Sequence, residues 1–192
     1  MLPRRLQELW DGMEENRNIT LGMISGLSER DFVDRRGGEW SIAEILEHLV
    51  LAETGTSKAI RKTLKENAGR LPAYPADDSM ISAGELDPSR AKMTEAPEVA
   101  RPRGSHGKEE ILGLASQARE ATRVSLEMLA GADPRSAEFP HPFFGSMNLY
   151  EWPYRFILEH ERQHHPQIER ILRRLEKQGE HVGPASQEQG RS

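Results

Sequence analysis

The segment His160-Glu161-Arg162-Gln163-His164-His165-Pro166-Gln167-Ile168 concentrates side chains that can bind a metal. Histidines four residues apart on a helix are separated by one turn and about 40° of rotation, so His160 and His164 would project two imidazoles from one face. Two such nitrogens can grip one ion, and imidazole suits zinc, nickel and copper alike. An H-x3-H pair alone is a weak signal, because solvated helix faces carry such pairs without function. Their position adds weight. Ile157, His160, His164, Ile168, Ile171 and Leu175 advance in steps of three and four, so both histidines fall in an apolar stripe. His48 behaves the same way on an earlier segment, between Ile45 and Ala52. Three buried imidazoles each need a partner for at least one ring nitrogen. A shared metal would engage one nitrogen of each; backbone carbonyls or waters, taken singly, would also serve, and spacing leaves both readings open. His165 sits about 100° from His164. It shares a face with Glu161, Arg162 and Glu169 and is expected at the bundle edge, becoming an alternative ligand if the helix rotates. Pro166 removes one helical hydrogen bond and can kink the helix, at a cost of about 3 kcal/mol; a kink here would re-aim His160 relative to His164.

Composition narrows the chemistry. The 192 residues include seven histidines and no cysteine. A disulfide scaffold, a cysteine-ligated zinc site, an iron–sulfur cluster and a cysteine nucleophile are therefore excluded. The balance of 26 Lys+Arg against 31 Asp+Glu leaves a net charge of −5, unsuited to sequence-independent binding of nucleic acid. No apolar run approaches the ~18 residues of a membrane span. The N-terminus MLPRRLQELWDGMEEN carries acids and no small-residue cleavage site, so a cytoplasmic location is expected.

The elements that must position these histidines read as helices. Leu, Ile and Met are frequent while aromatics make up only 6%, which favours an all-α fold. The first helix is expected over about 3–27, followed by a loop with one short turn over 28–39. The second starts at Ser41, with Glu44 completing a capping box and Trp40 and Ile45 at staple positions, and ends near Asn67-Ala68-Gly69. Residues 70–106 carry prolines at 72, 75, 88, 97 and 102. They read as a long crossover with a short helix around Asp77–Ala83, or else as a flexible linker. Such a crossover lets consecutive helices run parallel. The third helix is expected over 107–129 and the fourth from Asn148 or Glu151 to Lys177, after a Pro-rich loop. The expected organisation is one bundle domain over 1–177 with a tail over 178–192.

The run Gly38-Glu39-Trp40-Ser41-Ile42-Ala43-Glu44-Ile45-Leu46-Glu47-His48-Leu49 resembles the second-helix signature of the DinB-like, YfiT-related family. His160 to Ile168 resembles that family's H-x3-H-x2-Q-I signature, and His141-Pro142-Phe143-Phe144-Gly145 is similar to the loop that precedes the last helix in many members. The likeness spans residues 3–177. It implies a four-helix bundle with a long crossover between helices two and three. It also implies a divalent metal, zinc or nickel, held by His48, His160 and His164, and a homodimer. Pro166 departs from the pattern. Members include metal-dependent S-transferases that use low-molecular-weight thiols, a thiol-dependent isomerase, and proteins without a known reaction.

Three neutral nitrogen ligands leave at least one coordination position open. A water there would be acidified, or a thiol would bind as thiolate. With no cysteine in the chain, such a thiol must arrive with the small-molecule substrate. His141, in the loop before the last helix, and Glu44, one turn before His48, are the candidate catalytic groups. Glu47 reads as a solvated charge. Gln167 could bond the second nitrogen of His164, and Tyr150 and Tyr154 could line the same end. Two functional classes follow: a metalloenzyme, either a thiol-dependent S-transferase or a metal-dependent hydrolase, and a non-catalytic metal- or ligand-binding bundle with a stress-related role.

Overall fold

Leu6, Leu9 and Met13 recur on one face and build α1 (Arg4–Ile24). Its N-cap, Pro3, has no capping side chain; Asp78, far along the chain, accepts the Arg5 N–H at 2.9 Å instead. The short turn expected before Trp40 is α2 (Glu29–Val33), capped by Ser28. The expected capping box opens α3 (Ile42–Glu66): Ser41 Oγ accepts the Glu44 N–H at 3.1 Å, and Glu44 Oε2 accepts the Ser41 N–H at 2.8 Å. Next comes α4 (Lys108–Leu129). The last helix is continuous but not uniform. It comprises α5 (Glu151–Pro153), a π-helical stretch (Tyr154–Glu159) and α6 (His160–Gly179). Asn148 Oδ1 accepts the N–H groups of Tyr150 and Glu151, and the Glu151 carboxylate accepts the Asn148 N–H. The helix therefore begins at Glu151 with Asn148 acting as its cap. This computed structural model describes residues 1–35, 38–84, 96–141 and 145–179.

Cross-helix pairs give the directions. Glu53 meets Arg119, Ser57 meets Thr122 and Arg61 meets Ser125, so α3 and α4 run parallel, as a long crossover permits. Asn16 reaches Leu158, Arg17 reaches Glu161 and Thr20 reaches His165, so α1 and the last helix are also parallel. Glu39 pairs with Arg174 while His48 faces His160, which makes α3 and α6 antiparallel. The fold is an all-α four-helix bundle. The Leu158 side chain fills the space that Gly12 leaves on α1, since a Cβ there would lie 2.7 Å from Leu158 Cδ1.

Two apolar clusters fill the interior. One gathers Ile24, Phe32, Ile42, Ile45, Leu46, Ile111 and Ile168; the other gathers Leu6, Leu9, Met13, Leu126, Leu129, Leu149 and Ile157. Each fully buried Leu or Ile contributes about 1.5–3 kcal/mol. Between the clusters every long helix contributes a buried charge: Arg17, Glu53, Arg119 and Glu161. Thr20, Ser57, Thr122 and Ser125 complete this polar belt, all buried.

Several expectations are corrected. No helix forms at Asp77–Ala83. Asp77 Oδ1 accepts the Ser79 N–H in a tight turn, Asp78 is drawn to the start of α1, and Ile81 is buried in the second cluster. Among the described residues of the crossover, the helical turn is instead a 3-10 turn at Glu98–Ala100. The expected Pro-rich loop contains a hairpin, β1 (Glu138–His141) antiparallel to β2 (Gly145–Asn148), with Phe139 opposite Met147. Four-residue strands interrupted by Pro140 are too short to show a period of two. Pro166 causes no break in α6, because it lies on the exposed face, where water can replace the lost donor. The irregularity falls earlier, in the π-helical stretch. No helix among the described residues is long and apolar enough to cross a membrane. The loop residues 142–144, the side chain of His141 and the expected tail from 180 onward lie outside the described residues.

Candidate metal centre

His48 sits on the buried face of α3, 5% exposed, and its Nδ1 lies 2.6 Å from the Ala100 carbonyl. A carbonyl only accepts, so Nδ1 carries the proton and Nε2 presents a lone pair. His164 is arranged alike, with Nδ1 2.9 Å from Gln167 Oε1, also an acceptor. His160 opens α6 directly after the π-helical stretch. Its Nε2 lies 3.0 Å from His48 Nε2 and 3.3 Å from His164 Nε2. All three candidate ligand atoms fall within 4.8 Å of one another.

Proton counting makes this arrangement incomplete by itself. Two lone pairs face His160 Nε2, which can hold at most one proton and so can satisfy at most one of them. Adding protons is opposed. Burial first, then the neighbouring His48 and His164, pushes His160 down to about 3. Burial likewise lowers His164 to about 4, with its bond to Gln167 opposing the shift. His48 is also lowered by burial, against the pull of the Ala100 carbonyl. At neutral pH the three rings are uncharged and their nitrogens converge. The donor set fits a divalent cation. Tetrahedral zinc with bonds of about 2.0–2.1 Å needs nitrogens about 3.3 Å apart, close to both contacts of His160. His160 Nδ1 is buried and has no partner at good hydrogen-bond geometry, although the Phe156 backbone favours its protonated form.

The site is walled on one side by Trp40. Its ring centroid lies 5.0 Å from that of His48 and 6.5 Å from that of His164, nearly parallel to the latter. His160 and His164 are half-buried, whereas His48 is buried.

The other candidates separate. Gln167 bonds His164 as expected. Glu44 is held at the start of α3 by its capping role and by Arg35 Nη1 at 3.4 Å, and it does not join the histidine cluster. Glu47 is not a solvated charge. It is 6% exposed and accepts the N–H groups of Arg103 at 3.1 Å and Gly104 at 2.9 Å, pinning the crossover onto α3. Gly104 has φ +68°, and a side chain there would crowd Glu44. His165 turns to the α1 seam, where its Nε2 lies 3.0 Å from Thr20 Oγ1. Tyr150 and Tyr154 stack with each other at the second apolar cluster. His141 ends β1, its side chain outside the described residues. Sequence reasoning missed the Ala100 carbonyl, the Trp40 wall and the buried charges. A signal for the last was present, since Arg17 occupies a core position in the α1 stripe.

Comparison with known proteins agrees with this architecture. YuaE of Bacillus subtilis (strain 168), an uncharacterized protein, is 25% identical over 169 residues, covering 85% of this chain and 96% of that protein. The crystal structure of TT2238, a four-helix bundle protein, aligns with a TM-score of 0.55 at 22% identity, over 83% of this chain and 94% of that one. The DinB superfamily pattern matches residues 13–168. With that match over most of its length and a bundle of the corresponding fold, the chain belongs to the DinB superfamily.

Proposed function

We propose that this protein holds one divalent metal ion, zinc or nickel, on Nε2 of His48, His160 and His164. We further propose that it acts as an enzyme on a small-molecule electrophile, by thiol transfer or by hydrolysis. The observation that carries this reading is the convergence of three uncharged Nε2 atoms, two of them with their Nδ1 protons committed to Ala100 and Gln167.

A bound ion would supply Lewis acidity, lowering the pKa of a water or holding a thiol as thiolate. The chain supplies the rest. Ala100 and Gln167 fix the tautomers of His48 and His164 and make both rings better donors. Trp40 narrows access from its side. The absence of cysteine means that sulfur enters with the substrate. Partial exposure of His160 and His164 supports an accessible ion, as catalysis requires, over a sealed structural one.

Elemental analysis of tag-free protein tests the metal and should find about one divalent ion per chain. His48→Ala and His160→Ala should each abolish it, and full retention in both would overturn the ligand set. Turnover is tested with the metal-loaded protein, a chlorodinitrobenzene-type electrophile and a panel of low-molecular-weight thiols, beside a panel of esters. Activity lost in His141→Ala with metal content retained would support that histidine as the acid–base group. Inactivity throughout favours a non-catalytic metal-binding bundle.

A further inference from the structure

Four buried charges, one from each long helix, close a ring beside the histidines. Arg17 donates from Nη2 to Glu53 Oε2 at 2.9 Å and from Nε to Glu161 Oε1 at 2.7 Å. Arg119 donates from Nε to Glu53 Oε1 at 2.7 Å and from Nη2 to Glu161 Oε2 at 3.2 Å. Each glutamate therefore binds both arginines through different oxygens. Thr20 and Thr122 donate further bonds to Glu161 Oε1 and Glu53 Oε1, both at 2.9 Å. The four ring members are 7%, 1%, 7% and 2% exposed in the order Arg17, Glu53, Arg119, Glu161.

The two glutamates lie on the helices that carry the histidines. Glu161 follows His160 directly on α6, and Glu53 lies five residues after His48 on α3. The arginines, on α1 and α4, bridge these two helices from outside the pair. Apolar packing is non-directional, and cores of Leu, Ile and Ala tolerate repacking, so it sets the phase of one helix against another only loosely. Hydrogen-bonded ion pairs are directional. A slide of one residue, about 1.5 Å, would break contacts of this length. A metal site demands a tolerance of about 0.5 Å in its ligands. The ring's directional contacts oppose such a slide, and its pairing balances two positive against two negative charges. A fully paired ionic core adds little stability over well-packed apolar residues, and setting register is its best-attested use.

We propose that Arg17, Glu53, Arg119 and Glu161 are positioning residues for the metal centre: the ring locks α3 against α6 in the register at which the three Nε2 atoms converge, and thereby sets metal affinity without touching the ion. This rests on the three-histidine reading above and adds the device that pre-forms the site.

The test compares wild type, Glu53→Gln and the apolar variant Arg17→Met/Glu53→Leu/Arg119→Met/Glu161→Leu, each checked for folding by circular dichroism. Glu53→Gln keeps the shape but removes one charge at a distance from the ligands. The apolar variant removes the ring while leaving the core filled, and serves if the single change unfolds the chain. Zinc affinity is measured by chelator competition and expressed per folded molecule, and cobalt(II) absorption reports ligand geometry. The expected result is affinity lower by about 10- to 100-fold, with a weakened or shifted cobalt spectrum in a folded variant. Wild-type affinity and spectrum in a folded variant, or a loss that merely follows the folded fraction, overturns the clamp and leaves the three-histidine site standing. Failure of the wild type to bind zinc or cobalt overturns both.

Discussion

His48 Nδ1 lies 2.6 Å from the carbonyl oxygen of Ala100, and this one bond joins the second long helix to the crossover. It selects the tautomer that leaves Nε2 free to face His160. It also places the 3-10 turn Glu98–Ala100 against the histidine cluster, so the crossover forms part of the site. The following residues repeat the attachment, since Glu47 accepts the N–H groups of Arg103 and Gly104.

That attachment predicts the behaviour of Glu47→Ala. Two backbone donors lose a buried charged acceptor, which should cost about 1–3 kcal/mol in denaturant unfolding. Amide exchange at Arg103 and Gly104 should accelerate more than exchange in α4. Unchanged exchange there would show that the crossover is held by other means.

Gln167 plays toward His164 the part that Ala100 plays toward His48. Gln167→Leu keeps the bulk but offers no acceptor for Nδ1. Metal affinity should fall by about 10- to 100-fold, with the stoichiometry retained at saturating metal. Chelator competition reads this directly, and equal affinity would remove Gln167 from the site.

Acid should weaken the metal-free protein through its histidines. His160 is held down to about 3 and His164 to about 4, both chiefly by burial, against an ordinary value of 6.5. The unfolded chain therefore binds more protons between those values, and folding stability falls as pH drops through that window. The contribution is complete above about 7. The urea midpoint should be steady from about pH 7 to 8 and decline below 6.5. His160→Gln should flatten part of that decline, and a midpoint that rises on acidification would contradict the assignment.

Pro166 stands inside α6 on its exposed face and cannot donate to the carbonyl one turn back. Pro166→Ala should restore that bond and raise stability by about 1–3 kcal/mol, after the greater freedom of the unfolded chain is counted. Metal content should not change, because the helix already passes through this residue without a break. A loss of metal would mean that the proline helps aim His160 or His164.

Local chemistry was readable in the sequence because it acts over one or two turns. Ser41 with Glu44, and Asn148 with Glu151, mark helix starts through bonds between near neighbours. Steps of three and four placed His48, His160 and His164 on inward faces, and the resemblance to a known family joined them into one set. The proline-rich stretch after α3 signalled a crossover long enough for parallel neighbours, and the paired residues of α3 and α4 bear this out.

Contacts between distant segments were decided only by the tertiary structure. Ala100 contributes a backbone carbonyl, which every residue has, so nothing in its type marks it for His48. Glu47 looked solvated because its partners are backbone N–H groups more than fifty residues away. Arg17 keeps step with Leu6, Leu9 and Met13 on the inward face of α1, but its compensation by Glu53 and Glu161 requires three helices to meet. A repeating pattern determines which face of a helix turns inward. The depth, direction and register at which that face meets its neighbours follow from packing the whole chain, and those decide whether three imidazoles become one site.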